Sequence, residues 1–92
     1  MPANISKWVK IDGAAPAEGL RGANEKLAES DGELVLDLSA VLRIQPRALT
    51  ELDRLARLAA QKSIKVVLRG VTVEVYKTLK LARLAPHFSF LS

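Results

Sequence analysis

The chain contains no cysteine. That excludes disulfides, thiolate nucleophiles and cysteine-ligated metals, and it fits a reducing, cytoplasmic setting. Histidine occurs once, at His87. A metal site needs several His, Cys or carboxylate ligands converging, and nothing here is spaced for that. Beside Phe88, His87 reads as a packed or surface histidine. Ser39 and Ser63 have no histidine near them in sequence, and the elbow motif that surrounds a serine nucleophile is missing. Gly13, Gly19, Gly22, Gly32 and Gly70 are isolated, so neither phosphate-loop pattern occurs. The residues assemble no acid–base pair and no partnered nucleophile, so the expectation is a protein that is not an enzyme and has no cofactor. Aromatic residues are also scarce: Trp8, Tyr76, Phe88 and Phe90. They do not interleave with basic residues as they do in a nucleic-acid-binding sheet, which speaks against a nucleic-acid partner. No apolar run approaches the roughly 20 residues needed to cross a bilayer. Residues 1–7, Met-Pro-Ala-Asn-Ile-Ser-Lys, lack the apolar stretch of a signal peptide.

What is present suits one small folded domain, residues 1–92. Hydrophobic residues make up 49% of the chain, enough for a packed core and too many for a disordered segment. The formal net charge of +4 is unevenly placed. Residues 1–42 hold four Lys/Arg against seven Asp/Glu, and residues 43–92 hold ten against three. The basic half would suit an acidic protein, a phosphate or an anionic membrane surface, and it would equally serve as a solvated face that keeps the chain soluble.

Apolar spacing predicts alternating strands and helices. Residues 5–11 are β-prone and end in the loop Asp12-Gly13-Ala14-Ala15-Pro16. Leu20, Ala23 and Leu27 mark one face of a helix over 17–29, closed by Asp31-Gly32. Residues 34–38, Leu-Val-Leu-Asp-Leu, are nearly all apolar, as in a strand covered on both faces. Asp37, its one charge, is suited to hydrogen-bonding the loop that follows. Pro46 starts a second helix that runs to about Gln61, since the first turn is where a helix accepts proline. Leu49, Leu52, Leu55, Ala56, Ala59 and Ala60 share its apolar face. Opposite them lie Arg47, Glu51, Arg54, Leu58 and Gln61. A leucine within that charged stripe is normal on any surface, and arginine beside an apolar residue is also the composition of a protein contact. Residues 64–68 form another strand, and Thr72 caps a third helix reaching about Leu84. Phe88 to Leu91 are either a short last strand or a tail on the core. The order β-α-β-α-β-α-(β) implies an α/β domain with a mostly parallel sheet and helices packed on it.

The segment LVLDLSAVLRIQPRALTELDRLARLAAQKSIKVVLRGVTVEVYKTLKLARLAPHFSF resembles the STAS domain over about residues 33–91. That family includes bacterial anti-sigma factor antagonists, the cytoplasmic tails of sulfate transporters and a small subunit of phospholipid-transport ABC systems. Its pattern opens with a buried strand ending Asp-Leu-Ser-Gly-Val, followed by an Ile-Asp-Ser-Ser-Gly-Leu turn and a helix. A further strand and a Ser-Pro-Glu-Val helix ending Leu-x-Leu-x-x-Leu complete it. Asp37-Leu38-Ser39-Ala40-Val41 matches the first piece. Thr72-Val73-Glu74-Val75 and Leu79-Lys80-Leu81-Ala82-Arg83-Leu84 match the last.

The resemblance implies a regulatory protein–protein interaction module whose turn carries a phosphorylatable serine or threonine. In this chain Gln45 takes the place of the Asp, Pro46 that of the phosphoacceptor, Arg47 that of the second Ser, and Ala48 that of the Gly. Proline has no hydroxyl to accept a phosphoryl group. Arg47 adds a positive charge where phosphorylation would add close to two negative ones. Thr50, the nearest hydroxyl, lies one turn into the helix as a displaced substitute. The expected contact residues are Gln45, Pro46, Arg47, Glu51, Arg54 and Leu58. The expected partner is an anti-sigma factor or related regulatory kinase. The alternatives are a transporter ATPase subunit, as for the STAS subunit of phospholipid-transport systems, and a nucleotide or lipid headgroup bound by Arg43, Arg47 and Arg69. The family commonly opens with two strands and this chain has room for one, so an uncovered sheet edge gives a reason to expect a homodimer.

Overall fold

A computed structural model describes residues 7–29 and 32–91. Four strands, three helices and one short helical turn alternate along the chain. They are β1 (Lys7–Lys10), α1 (Pro16–Glu29), β2 (Glu33–Asp37), α2 (Pro46–Lys62), β3 (Lys65–Arg69), α3 (Val73–Leu81), a 3-10 turn (Ala85–His87) and β4 (Ser89–Leu91). The strands form one sheet in the order β1-β2-β3-β4, and every pairing is parallel. The expected α/β class and parallel sheet therefore hold, and the C-terminal segment is a strand. Ile5, Ser6 and Asp31, which the sequence places in the first strand and the loop closing the first helix, lie outside the described residues.

Strand order decides how the layers stack. Each connection steps one strand over in the same direction, and right-handed crossovers of that kind put every helix on one side of the sheet. A single core results. Leu20 and Leu27 from α1, Leu52 and Leu55 from α2, and Val75 and Leu79 from α3 meet Leu34, Leu36 and Leu68 from the sheet, all fully buried. Val35 and Val67 alternate with these strand residues and lie outside that core, so they belong to the opposite face. Among the described residues no helix covers that face. The apolar run at 34–38 reads as a strand covered on both sides, and Leu34, Val35 and Leu36, which point to alternate faces, are indeed all buried. Helices cover one side. On the other, Val35 is 4% exposed in a row with Trp8 and Val67, where the Arg69 guanidinium lies 5.5 Å from the Trp8 ring centre.

The second helix is rotated from its sequence-derived orientation. Ala48, Leu52, Leu55, Ala56 and Ala59 are buried, Leu49 is half-buried and Ala60 is exposed. The cause is α1, which lies alongside α2 on the same side of the sheet and gives α2 a second neighbour. Leu58 is accordingly half-buried and packs against the core, and Glu51 is half-buried where Asn24 Nδ2 donates to its Oε1 at 3.4 Å.

The third helix stops three residues before its expected end. Arg83 adopts φ of 63°, the Leu84 N–H donates to the Leu79 carbonyl at 2.9 Å, and the Arg83 N–H donates to the Lys80 carbonyl at 3.1 Å. Ser63 ends α2 in the same way, with φ of 56° and the Ile64 N–H on the Ala59 carbonyl. These are the paired bonds of a helix that turns left-handed to bury the next apolar residue.

Candidate functional site

The β2–α2 connection, residues 38–45, lies at the carboxyl end of the sheet, where ligands gather in parallel α/β domains. Its start is held by Asp37. One carboxylate oxygen accepts from the Ser39 N–H at 2.9 Å, and the other lies 3.5 Å from the Arg69 guanidinium. The loop-holding role read for Asp37 is the one it has. Hydrogen bonds from the Ser39 side chain and backbone hold the carboxyl below its ordinary range. Arg69 and Lys10 add to this, and partial burial opposes it. The Leu38 N–H donates to the Arg69 carbonyl at 2.8 Å, and the Val41 N–H closes a turn onto the Leu38 carbonyl at 2.9 Å.

Two glycines press on this turn from opposite sides. A Cβ at Gly13 would lie 2.1 Å from the Ala40 carbonyl oxygen, and one at Gly70, where φ is +71°, would lie 2.8 Å from the Ser39 Cβ. Neither position tolerates a side chain without backbone movement. The composition of the chain shows both glycines as isolated, and nothing in their spacing marks them as the jaws of the site.

Between the β1–α1 loop and the β2–α2 loop opens a cleft of about 490 Å³. Gly13, Ala14 and Pro16 line it from the β1–α1 side, and Ala40, Arg43, Gln45, Arg47 and Ala48 from the β2–α2 side. Glu18 stands on the α1 side. Gln45 occupies the N-cap of α2 in extended conformation but makes no side-chain cap bond, and Pro46 is the first helical residue. The start of the helix, which carries partial positive charge, therefore lines the cleft beside two arginines. Neither Arg43 nor Arg47 is paired with a carboxylate among the described residues.

Of the expected contact residues, Gln45, Pro46, Arg47 and Arg54 are exposed, with Gln45 and Arg47 on the cleft wall. Glu51 accepts from Asn24 of α1 and lies 3.8 Å from Arg54, and Leu58 is half-buried against the core. The contact stripe is thus narrower than the helical wheel suggests. Arg69 is not brought to the cleft: its side chain lies over Trp8 on the open face of the sheet. Thr50 is exposed and donates its hydroxyl to the Pro46 carbonyl at 3.0 Å. Leu42, which the sequence reading passed over, stands 69% exposed on the cleft rim between Val41, fully buried, and Arg43, exposed. Its signal is faint, one apolar residue in a loop with buried and polar neighbours. Among the described residues no group of His, Cys, Asp and Glu could hold a metal ion, and no helix is long and apolar enough to cross a membrane.

A parallel four-stranded sheet with an Asp-Leu-Ser-Ala-Val turn leading into a helix gives the chain a STAS-like α/β fold. A crystal structure from Thermotoga maritima has the same fold. It carries a provisional assignment as an anti-sigma factor antagonist, and it is similar over 100% of this chain and 75% of that chain, with a TM-score of 0.67 at 16% sequence identity. No family model matches the chain, and no curated protein sequence matches it.

Proposed function

We propose that the chain is a non-enzymatic regulatory module that binds a protein partner through the 44–48 turn and the start of α2, without control by phosphorylation at that turn. The exposed turn carries the reading. It stands at the end of a rigidly held strand, presents Arg43 and Arg47 beside an exposed Leu42, and has proline where the resembled family has its phosphoacceptor. Arginine next to exposed apolar surface is a composition enriched in protein contacts. The geometry suits an acidic patch on the partner. The partner class favoured by the fold is an anti-sigma factor or related regulatory kinase. A transporter ATPase subunit is the alternative, and it needs only the docking surface.

The test is affinity capture with tagged protein from a bacterial host, comparing wild type with Arg47→Glu. Capture of a kinase-like regulator or of an ATPase subunit by wild type, weakened tenfold or more by the variant, supports docking at the turn and distinguishes the two partners. An unchanged set of captured proteins removes the turn from the interface. A second reading rests on the cleft itself. Two cationic side chains and a helix N-terminus around about 490 Å³ suit a phosphate-bearing small ligand. Titration with a nucleotide, followed by the amide resonances of Arg47 and Ala48, separates that reading from protein docking.

A further inference from the structure

The side of the sheet away from the helices is the least explained surface of the molecule. All-parallel sheets are almost always covered on both faces, and among the described residues this one has helices on one. Three rows of side chains cross the open face at matched register. The first holds Glu33 and Lys65, the second Trp8, Val35, Val67 and Ser89, and the third Lys10, Asp37, Arg69 and Leu91. Trp8 is 58% exposed and Leu91 49% exposed, so the row pattern offers an aromatic anchor and an apolar corner within a charged frame.

The sign of the charges alternates between the two central strands. On β2 they are Glu33 and Asp37, both acidic, and on β3 they are Lys65 and Arg69, both basic. This pattern discriminates between the two ways a second copy could stack on the face by two-fold symmetry. With the axis across the strands, β2 lies over β2 and β3 over β3, so acid meets acid and base meets base. With the axis along the strands, β2 lies over β3. Glu33 then meets Lys65, Asp37 meets Arg69 and Trp8 meets Ser89, with every charge on the central strands opposite its complement and Val35 and Val67 buried beneath them. Aligned stacking of this kind is one of the two standard ways that sheets pack face to face.

We propose that the open face of the sheet is a self-association surface, on which a second copy of this chain stacks with its strands running the same way, β2 over β3. The face spans about 19 Å across four strands and about 17 Å along them. That is smaller than the roughly 800 Å² per partner of a standard stable interface, so the dimer is a weak one that forms with rising concentration. The turn at 44–48 lies at the end of the strands, outside the stacked area, and remains available in both states.

Trp8 is the only tryptophan, which makes the chain its own reporter. Sedimentation velocity and tryptophan emission are followed together from about 1 μM to about 1 mM, the range of weak complexes. The expected result is a concentration-dependent rise to dimer with a parallel blue shift of Trp8. Glu33→Lys weakens association about tenfold, and the swap Glu33→Lys with Lys65→Glu restores it to within about twofold. Trp8→Lys, at a position 58% exposed, also weakens it and is followed by sedimentation alone, with circular dichroism checking that the variant is folded. A chain that stays monomeric over the whole range overturns the proposal. So does a dimer indifferent to Trp8→Lys and to the charge reversal, since it uses another face, and so does a swap that fails to restore what the single reversal removed.

Discussion

At the scale of single residues the carboxylate of Asp37 is the most consequential group. It accepts from the Ser39 amide and lies beside Arg69, and these contacts favour its charged form. Because its folded-state pKa is lowered, its contribution to stability is complete above the ordinary aspartate range near pH 4. It is lost as the pH falls through the lowered value, because there the unfolded chain binds the proton more readily. Asp37→Asn keeps an oxygen for the Ser39 amide but loses the charge. The variant is expected to be about 1–2 kcal/mol less stable at pH 7, with the gap closing toward pH 3, as measured by urea denaturation at both values. A gap that stays constant on acidification would show that the charge contributes nothing. The role of Asp37 was legible in the sequence because a lone acid at the end of an apolar strand has few other uses. Gly13 and Gly70 were not legible. Their importance comes from what stands opposite them, Ala40 and Ser39, and that proximity exists only once the loops are assembled.

At the scale of elements, helix starts were easier to read than helix ends. Pro46 and Thr72 are chemical signals, and Thr72 does cap α3, its hydroxyl accepting from the Val75 N–H at 3.2 Å. Thr72→Ala is expected to lower stability by about 1 kcal/mol in thermal or urea unfolding. The ends carry no such signal, because Ser63 and Arg83 take the left-handed conformation usually given to glycine. What ends these helices is the burial of Ile64 and Leu84, a tertiary effect. The strain left at Ser63 makes an opposite prediction. Ser63→Gly should raise stability by about 0.5–1 kcal/mol, and a loss of stability would mean that the serine side chain contributes something beyond its backbone shape. The orientation of α2 was read with an error for a related reason. A helical wheel assumes one buried face, and the α1 neighbour adds another, against which Glu51 meets Asn24.

At the scale of the whole molecule, the class of fold was legible and the stacking of its layers was not. Alternating strands and helices imply a parallel sheet, but strand order determines whether helices take one side or both, and no local pattern encodes it. The apolar run of β2 argued for two covered sides. It is buried on both, since Val35, on the side without helices, is 4% exposed in the row of Trp8, over whose ring Arg69 lies. This architecture predicts a graded stability. Amides of Leu34, Leu36 and Leu68, in central strands under the helices, should exchange slowest with solvent. Those of β4, three residues long and paired on one side, should exchange fastest among the strands. Hydrogen exchange followed by NMR checks this, and protection of β4 equal to that of β3 would contradict it. The two surfaces of the sheet also share one carboxylate. One oxygen of Asp37 steadies the turn that leads to the cleft, and the other holds the arginine that spans the open face. A ligand on either surface that shifts its half of this arrangement changes the affinity of the other by the same factor, because thermodynamic coupling has no preferred direction. A single aspartate thus ties the cleft and the open face together through its two oxygens.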